Sequence, residues 1–134
     1  MVKVAILGYG VVGSGVAEIL TGSGGDVRKK ADELIGLKYI LDLRSFPNSP
    51  LAEQFVKDFS IIEGDPEVNV VVETIGGVGA ALDFTERALR AGKSVVTSNK
   101  ELVATHGRRL LDLAAEHGAV YLFEASVGGG IPIL

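Results

Sequence analysis

Residues 2–13 read Val-Lys-Val-Ala-Ile-Leu-Gly-Tyr-Gly-Val-Val-Gly. The first six, Val2 to Leu7, form a short apolar run with a single charge, which predicts a buried β-strand. The run leads straight into Gly8-x-Gly10-x-x-Gly13. A helical pattern starts at Val11 and carries Val12, Val16, Ile19 and Leu20 on its apolar side. Strand, glycine turn and helix in immediate succession are the context in which this spacing points to a dinucleotide. Gly8 allows a sharp turn. Gly10 lacks a Cβ, so backbone can approach a pyrophosphate. Gly13 lets the helix pack close to the strand. The free N–H groups and positive dipole of the helix start would take the phosphates.

Outward from that stretch, strand-like and helix-like segments alternate, which predicts a mostly parallel sheet with helices on both faces. The first helix is expected over Val11–Thr21 and is broken by Gly22-Ser23-Gly24-Gly25. Asp26–Ile35 reads as a polar helix or a loop insertion. Leu37–Asp42 reads as the second strand, Ser45–Pro50 as a turn-rich loop, Ser60–Ile62 as a short third strand and Asp65–Glu67 as a turn. Val68–Glu73 is β-branched and nearly continuous, as a central parallel strand should be. Gly76-Gly77 follows it. An amphipathic helix is expected over Ala80–Ala91, with Ala81, Phe84, Ala88 and Leu89 on one side and Gly92 as its stop. Ser94–Thr97 is the next strand. Lys100–Glu116 is a helix with Leu102, Val103, Leu110, Leu111 and Leu113 inward, stopped by Gly118, and Val120–Phe123 is the last strand. The fold class is therefore α/β: a Rossmann-type doubly wound sheet of order 3-2-1-4-5-6, with ligands at the carboxyl ends of the strands near the switch point. The polar residues of interest fall at those ends.

Length and composition limit the rest. The chain has 134 residues, 47% of them hydrophobic and 22% charged, and reads as one globular domain. It has no cysteine, which excludes disulfides, thiolate metal sites and a cysteine nucleophile within these residues. A net charge of −4 argues against a nucleic-acid surface. Arg28-Lys29-Lys30 reads as a solvated cluster. No apolar run is long enough for a transmembrane helix. With the first strand starting at residue 2, no signal peptide is expected and a cytoplasmic location is the default.

An acidic residue after the second strand favours NAD through the ribose hydroxyls, whereas a nearby Arg can hold the 2′-phosphate of NADP. This chain offers both, as Asp42-Leu43-Arg44. The interval from Gly13 to Asp42 is 29 residues, longer than the usual ~20, and the Gly22–Lys30 insertion accounts for the excess. Arg44 tilts the reading toward NADP, with NAD the alternative. Both residues also read as ordinary loop charges.

Three blocks in the second half are distinctive. They are Val-Val-Val-Glu-Thr-Ile-Gly-Gly at 70–77, Ala-Gly-Lys-Ser-Val-Val-Thr-Ser-Asn-Lys at 91–100, and Phe-Glu-Ala-Ser-Val-Gly-Gly-Gly-Ile-Pro-Ile at 123–133. Together they resemble homoserine dehydrogenase, and the resemblance covers the whole chain. The combination of T-x-N-K with E-A-x-V-x-x-G-I-P sets that family apart from other Rossmann dehydrogenases. It implies NAD(P)H-dependent interconversion of aspartate 4-semialdehyde and homoserine, on the route to threonine and methionine.

By that resemblance, Tyr9, Val11 and Val12 would line the cofactor, and Arg44 or a neighbour would meet the adenosine ribose or its phosphate. Thr74, Gly76 and Gly77, with Thr97, Ser98 and Asn99, would run along the nicotinamide ribose. Lys100 matches the family's active-site lysine. A surface lysine is the bland alternative, but a cation is disfavoured at a helix N-terminus, so a negative partner is expected there. Glu124, with backbone oxygens of Val127, Gly129 and Ile131, matches the family's monovalent cation site, usually sodium. Alternatively Glu124 only receives backbone N–H groups. His106 and His117 read as surface or capping residues. The family's proton-donating lysine and substrate-binding acids lie in a second domain after the Gly-Gly-Ile-Pro block. The chain thus reads as the nucleotide-binding part of a longer enzyme, inactive alone and binding substrate only with that domain. Ile131, Ile133 and Leu134 would leave an apolar patch, which predicts a homo-oligomer. The competing reading is a stand-alone NAD(P)-sensing regulatory module, which has no use for Lys100. A related semialdehyde or amino-acid reductase is a further alternative.

Overall fold

The structure is a computed structural model that describes residues 2–23 and 35–123. One six-stranded parallel sheet carries it, in the order β3-β2-β1-β4-β5-β6. The strands are β1 (Val2–Leu7), β2 (Ile35–Leu41), β3 (Phe55–Val56), β4 (Val68–Glu73), β5 (Ser94–Thr97) and β6 (Tyr121–Phe123). The helices are α1 (Val11–Glu18), α2 (Phe59–Glu63), α3 (Gly79–Arg90) and α4 (Lys100–Glu116). The expected strand order is observed.

β1 is central and flanked on both sides, pairing with β2 and with β4. That position explains its apolar run: Val4, Ala5, Ile6 and Leu7 are all buried. Two apolar layers result. Ala5, Leu7, Val71 and Val95 pack with Ala81, Ala88 and Leu89 of α3 and with Leu102 and Leu110 of α4. On the other face, Val4, Ile6 and Ile40 pack with Ala17 of α1. Burying these side chains is the main favourable contribution, ~1.5–3 kcal/mol for each large one. Asn99 caps α4 by accepting the N–H of Leu102 at 3.0 Å. Gly92 and Gly118, past the ends of α3 and α4, adopt φ of +81° and +67° and stop both helices.

The third strand lies elsewhere than expected. Ser60–Ile62 belongs to α2, and β3 is Phe55–Val56. Asp58 accepts the N–H of Ser60 and starts a single helical turn. Phe59 and Ile62, three apart, are then both buried, while Ile61 faces solvent. β2 begins at Ile35 and ends at Leu41, so it starts earlier than Leu37 and leaves Asp42 just beyond its end. The first helix is α-helical to Glu18 and then widens into a π-turn over Ile19–Ser23, where Gly22 has φ +120°. Residues 24–34, which include the insertion and the basic cluster, lie outside the described residues. No helix among the described residues is long and apolar enough to cross a membrane.

Candidate functional site

The carboxyl ends of β1, β2, β4 and β5 share one edge of the sheet, and the turn after β1 sits in its middle. Gly8 opens that turn at φ +94°, a conformation glycine reaches without strain. Its N–H donates to the carbonyl of Leu41 at 2.8 Å. Gly13 faces the turn from inside α1, where a Cβ would stand 1.9 Å from the carbonyl oxygen of Gly8. Gly10 differs: nothing lies within 4 Å of the place its Cβ would take. No side chain caps α1, and its first turn holds no acidic residue. The helix start therefore presents unsatisfied N–H groups to open space, which fits a phosphate.

Thr74, the first residue past β4, closes the turn from the other side. Its hydroxyl is shared by the carbonyls of Leu7 at 2.8 Å and Gly8 at 3.0 Å. Asp42 closes it from β2. One carboxylate oxygen accepts the N–H of Tyr9 at 2.9 Å and an Arg44 guanidinium N–H at 2.9 Å. The other accepts the N–H of Arg44 at 2.9 Å and its Nε–H at 3.0 Å. The guanidinium hydrogen bonds hold the Asp42 carboxyl well below the usual carboxylate range, and backbone N–H groups of Arg44 and Tyr9 add to the effect against the opposing effect of burial. The ring of Tyr9 packs edge-on against Phe46 and Phe55, at centroid distances of 5.1 and 4.9 Å. Arg44 lies over the Phe46 ring at 5.2 Å and stays largely exposed.

A cavity of about 460 Å³ opens here, with Gly10, Asp42, Arg44 and Ile75 in its wall. Lys57 also lines it, its Nζ donating to the carbonyl of Leu43 at 2.8 Å and to the Ser45 hydroxyl at 3.1 Å. A second, mostly apolar cavity of about 380 Å³ lies against Val12, Val72, Val96 and Ser98, and Thr74 lines both. Val11 is 92% exposed and Val12 51%, so the start of α1 carries uncovered apolar surface between them.

Across the sheet, Thr97 ends β5, and Asn99 and Lys100 begin α4. The Thr97 hydroxyl is buried and accepts the N–H of Asn99 at 2.9 Å. The Asn99 carboxamide donates to the carbonyl of Gly77 at 2.6 Å as well as capping α4. Ser98 and Lys100 are exposed, as are Gly76 and Gly77. Lys100 has no ion-pair partner among the described residues.

The structure thus gathers Gly8, Tyr9, Gly10, Val11, Val12, Gly13, Asp42, Arg44, Thr74, Gly76, Gly77, Thr97, Ser98, Asn99 and Lys100 at one edge of the sheet. It also separates their roles. The polar side-chain atoms of Asp42, Thr74, Thr97 and Asn99 are engaged within the protein, whereas Arg44, Ser98 and Lys100 reach solvent. Lys57 escaped the sequence reading, because only the folding of the loop after β2 brings it to this cavity. His117 caps the end of α4, its ring Nδ1 3.0 Å from the carbonyl of Leu113. Glu124, Val127, Gly129 and Ile131 lie outside the described residues. Among the described residues no cluster of His, Asp and Glu could hold a metal ion.

An uncapped helix start behind a tight glycine turn, at the switch point of a 3-2-1-4-5-6 parallel sheet, defines a Rossmann-type nicotinamide dinucleotide-binding domain. Residues 8–124 match the family model for the NAD-binding domain of homoserine dehydrogenase, and the chain belongs to that family. The homoserine dehydrogenase of Pseudomonas aeruginosa is 37% identical over 134 residues, covering 99% of this chain and 31% of that protein. That of Bacillus subtilis is 39% identical over 137 residues, with the same coverage. The crystal structure of the S. aureus homoserine dehydrogenase at pH 7.5 superposes with a TM-score of 0.80 at 34% identity, covering 94% of this chain and 32% of that one. The chain spans about a third of the length of these relatives.

Proposed function

We propose that this domain holds the nicotinamide cofactor of a homoserine dehydrogenase, which interconverts L-aspartate 4-semialdehyde and L-homoserine in threonine and methionine biosynthesis. A second domain, matching the remaining length of the relatives, would bind the substrate, so the described domain alone would bind cofactor without turnover. The observation that carries this reading is the placement of Lys100. The family's T-x-N-K block sets a cation, unpaired among the described residues, at the same sheet edge as the open glycine turn.

When bound, the nicotinamide ring would supply or accept the hydride. The chain's own residues would do the rest. The N–H groups at the start of α1 bind the pyrophosphate. Thr74 and Asp42 hold the turn in the shape that presents those groups. Lys100 offers its ammonium to the oxygen that gains negative charge as the carbonyl is reduced. The exposed pair Arg44 and Lys57 favours NADP, since together they offer two cations to a 2′-phosphate. Asp42 does not compete for the ribose, because all of its acceptor positions are filled by Tyr9 and Arg44. A monovalent cation at Glu124 and the backbone oxygens of Val127, Gly129 and Ile131, supported by the family, belongs to the same proposal, as do a cytoplasmic location and a homo-oligomeric state, supported by the sequence pattern.

The test is titration of NADPH and NADH into the purified chain, followed by nicotinamide fluorescence, on wild type and Lys100→Ala. Saturable NADPH binding that weakens in the variant is expected. Failure of both cofactors to bind at millimolar concentration would defeat the proposal. Tight binding indifferent to Lys100→Ala would point instead to a regulatory nucleotide sensor.

A further inference from the structure

β4 ends on a carboxylate that has no exposed surface. Glu73 is fully buried and stands in register beside Thr97 of β5. It has no ion-pair partner among the described residues. A buried carboxylate in that position is costly unless hydrogen-bond donors meet it. Three do. Its Oε1 accepts the Thr97 hydroxyl at 2.5 Å. Its Oε2 accepts the N–H groups of Ile75 at 2.8 Å and Gly76 at 3.2 Å.

The Thr97 contact fixes a direction. The hydroxyl has one proton, and its hydrogen bond goes to Glu73. Its lone pairs are then left to accept the N–H of Asn99 at 2.9 Å. Asn99 carries the connection forward, capping α4 through Leu102 at 3.0 Å and returning to the loop through the carbonyl of Gly77 at 2.6 Å. Loop 74–77 and the first turn of α4 are therefore tied together through one buried polar circuit, and Lys100 is the first residue of that turn.

We propose that Glu73 is a positioning residue: its buried carboxylate locks the loop after β4 to the first turn of α4, and so sets where Lys100 stands against the dinucleotide. The last clause rests on the role given to Lys100 above. The locking itself does not. Glu73 is built for the task because both of its oxygens accept, one from the hydroxyl and the other from the two loop amides. A glutamine in its place has one acceptor oxygen, which the two fixed loop N–H groups claim, so the Thr97 hydroxyl meets an NH2 group and loses its acceptor.

The test needs two readouts on the whole chain. The first uses no cofactor: amide hydrogen exchange at Ile75, Gly76, Asn99 and Leu102, with Ala5 and Ile40 as internal standards. Glu73→Gln is expected to speed Asn99 and Leu102 together by about tenfold, the loss of roughly one hydrogen bond, while the standards hold. Thr97→Val should do the same, and Thr97→Ser, which keeps the hydroxyl, should restore wild-type rates. If Glu73→Gln and Thr97→Val leave Asn99 and Leu102 at wild-type rates, the coupling is overturned. The second readout is NADPH affinity. Glu73→Gln is expected to weaken it several-fold in the wild-type background and much less in the Lys100→Ala background. Equal losses in both backgrounds would overturn the link to Lys100 while leaving the proposed function standing. If wild type binds no NADPH, the proposed function falls, and the exchange rates still decide whether Glu73 locks the two segments.

Discussion

Gly13 and Gly10 stand three residues apart in one turn, yet alanine at the two positions should have opposite consequences. At Gly13 a Cβ would meet the carbonyl oxygen of Gly8 at 1.9 Å, its carbon at 2.9 Å and the Thr74 hydroxyl at 2.9 Å. Two of these three atoms are backbone, and the turn that holds them is pinned by the bonds of Gly8 to Leu41 and of Thr74 to Leu7. Relief would require α1 to retreat by about 1 Å, since carbon and oxygen do not approach within 3.0 Å. Overpacking of this kind costs roughly 3 kcal/mol, and loss of a Thr74 hydrogen bond adds about 1. The better helix propensity of alanine returns up to ~1 kcal/mol. The net, ~3 kcal/mol, corresponds to a fall in melting temperature of roughly 10 °C for a domain of this size.

At Gly10 nothing lies within 4 Å of the added methyl, and φ is −88°, which any residue tolerates. Alanine in place of glycine at the cap position costs roughly 0.5–1 kcal/mol, the difference between their capping penalties. Gly10→Ala should therefore melt within about 4 °C of wild type while binding NADPH at least tenfold more weakly, because the methyl occupies the space in front of the free N–H groups. Circular dichroism melts and fluorescence titration on the same two proteins decide the matter. A Gly13→Ala domain as stable as wild type would refute the packing argument. A Gly10→Ala domain that binds NADPH normally would refute the placement of the phosphates.

Two further expectations follow from the edge at β2. Arg44→Ala should weaken NADPH by roughly ten- to a hundredfold, the worth of a charged hydrogen bond, and leave NADH nearly unchanged; equal losses for both cofactors, measured by titration, would remove the argument for NADP. Asp42, its folded pKa depressed chiefly by Arg44, contributes stability that is complete above its unfolded value of about 3.9 and lost as pH falls below it. Melting temperature should thus begin to drop near pH 4 and fall steadily at lower pH in wild type and less steeply in Asp42→Asn, which starts lower at pH 7 by about 2 kcal/mol after allowance for the exposure of Arg44. Asp65, at the other end of the sheet, is depressed by Lys38 and Tyr39 and will leave a residual slope in the variant; identical slopes in the two proteins would show that Asp42 does not titrate as argued.

Local sequence carried the elements whose causes are local. The apolar run of β1, the glycine spacing and the continuous β-branched stretch of β4 each predicted an element that the structure contains. The same holds for α4, whose start at Lys100 and end at Glu116 follow from Asn99 and Gly118. β3 was illegible because two residues have no periodicity of their own: Phe55 and Val56 are extended because Ile40 and Leu41 offer an edge. Ser60–Ile62 misled because β-branched residues favour strands, while Asp58 as a cap decides for a helical turn. The site was legible as a set of residues and not as a set of roles. Asp42 meets Tyr9 across 33 positions and Thr74 meets Gly8 across 66, and no reading of spacing along the chain discloses either bond.

Those distant bonds explain how a glycine turn can be both mobile in principle and ordered in fact. Glycine allows Gly8 its conformation but does not enforce it, and ordering such a residue costs more backbone entropy than ordering any other. The enforcement comes from outside the motif: Leu41 and Asp42 grip Gly8 and Tyr9 from β2, and Thr74 grips Gly8 from β4. The polar side chains nearest the turn are therefore turned inward, and the groups left facing the cavities are backbone N–H at the start of α1 and the cations Arg44 and Lys57. In a chain of net charge −4, a local excess of donors and cations at this edge selects for an anionic ligand without needing any carboxylate to read it. A consequence separates the two kinds of residue in practice. Changes at Asp42 or Thr74 must move stability and cofactor affinity together, since they act by shaping the turn. Changes at Lys100 should move affinity alone, whereas changes at Arg44 should also cost part of the stability that its bonds to Asp42 supply.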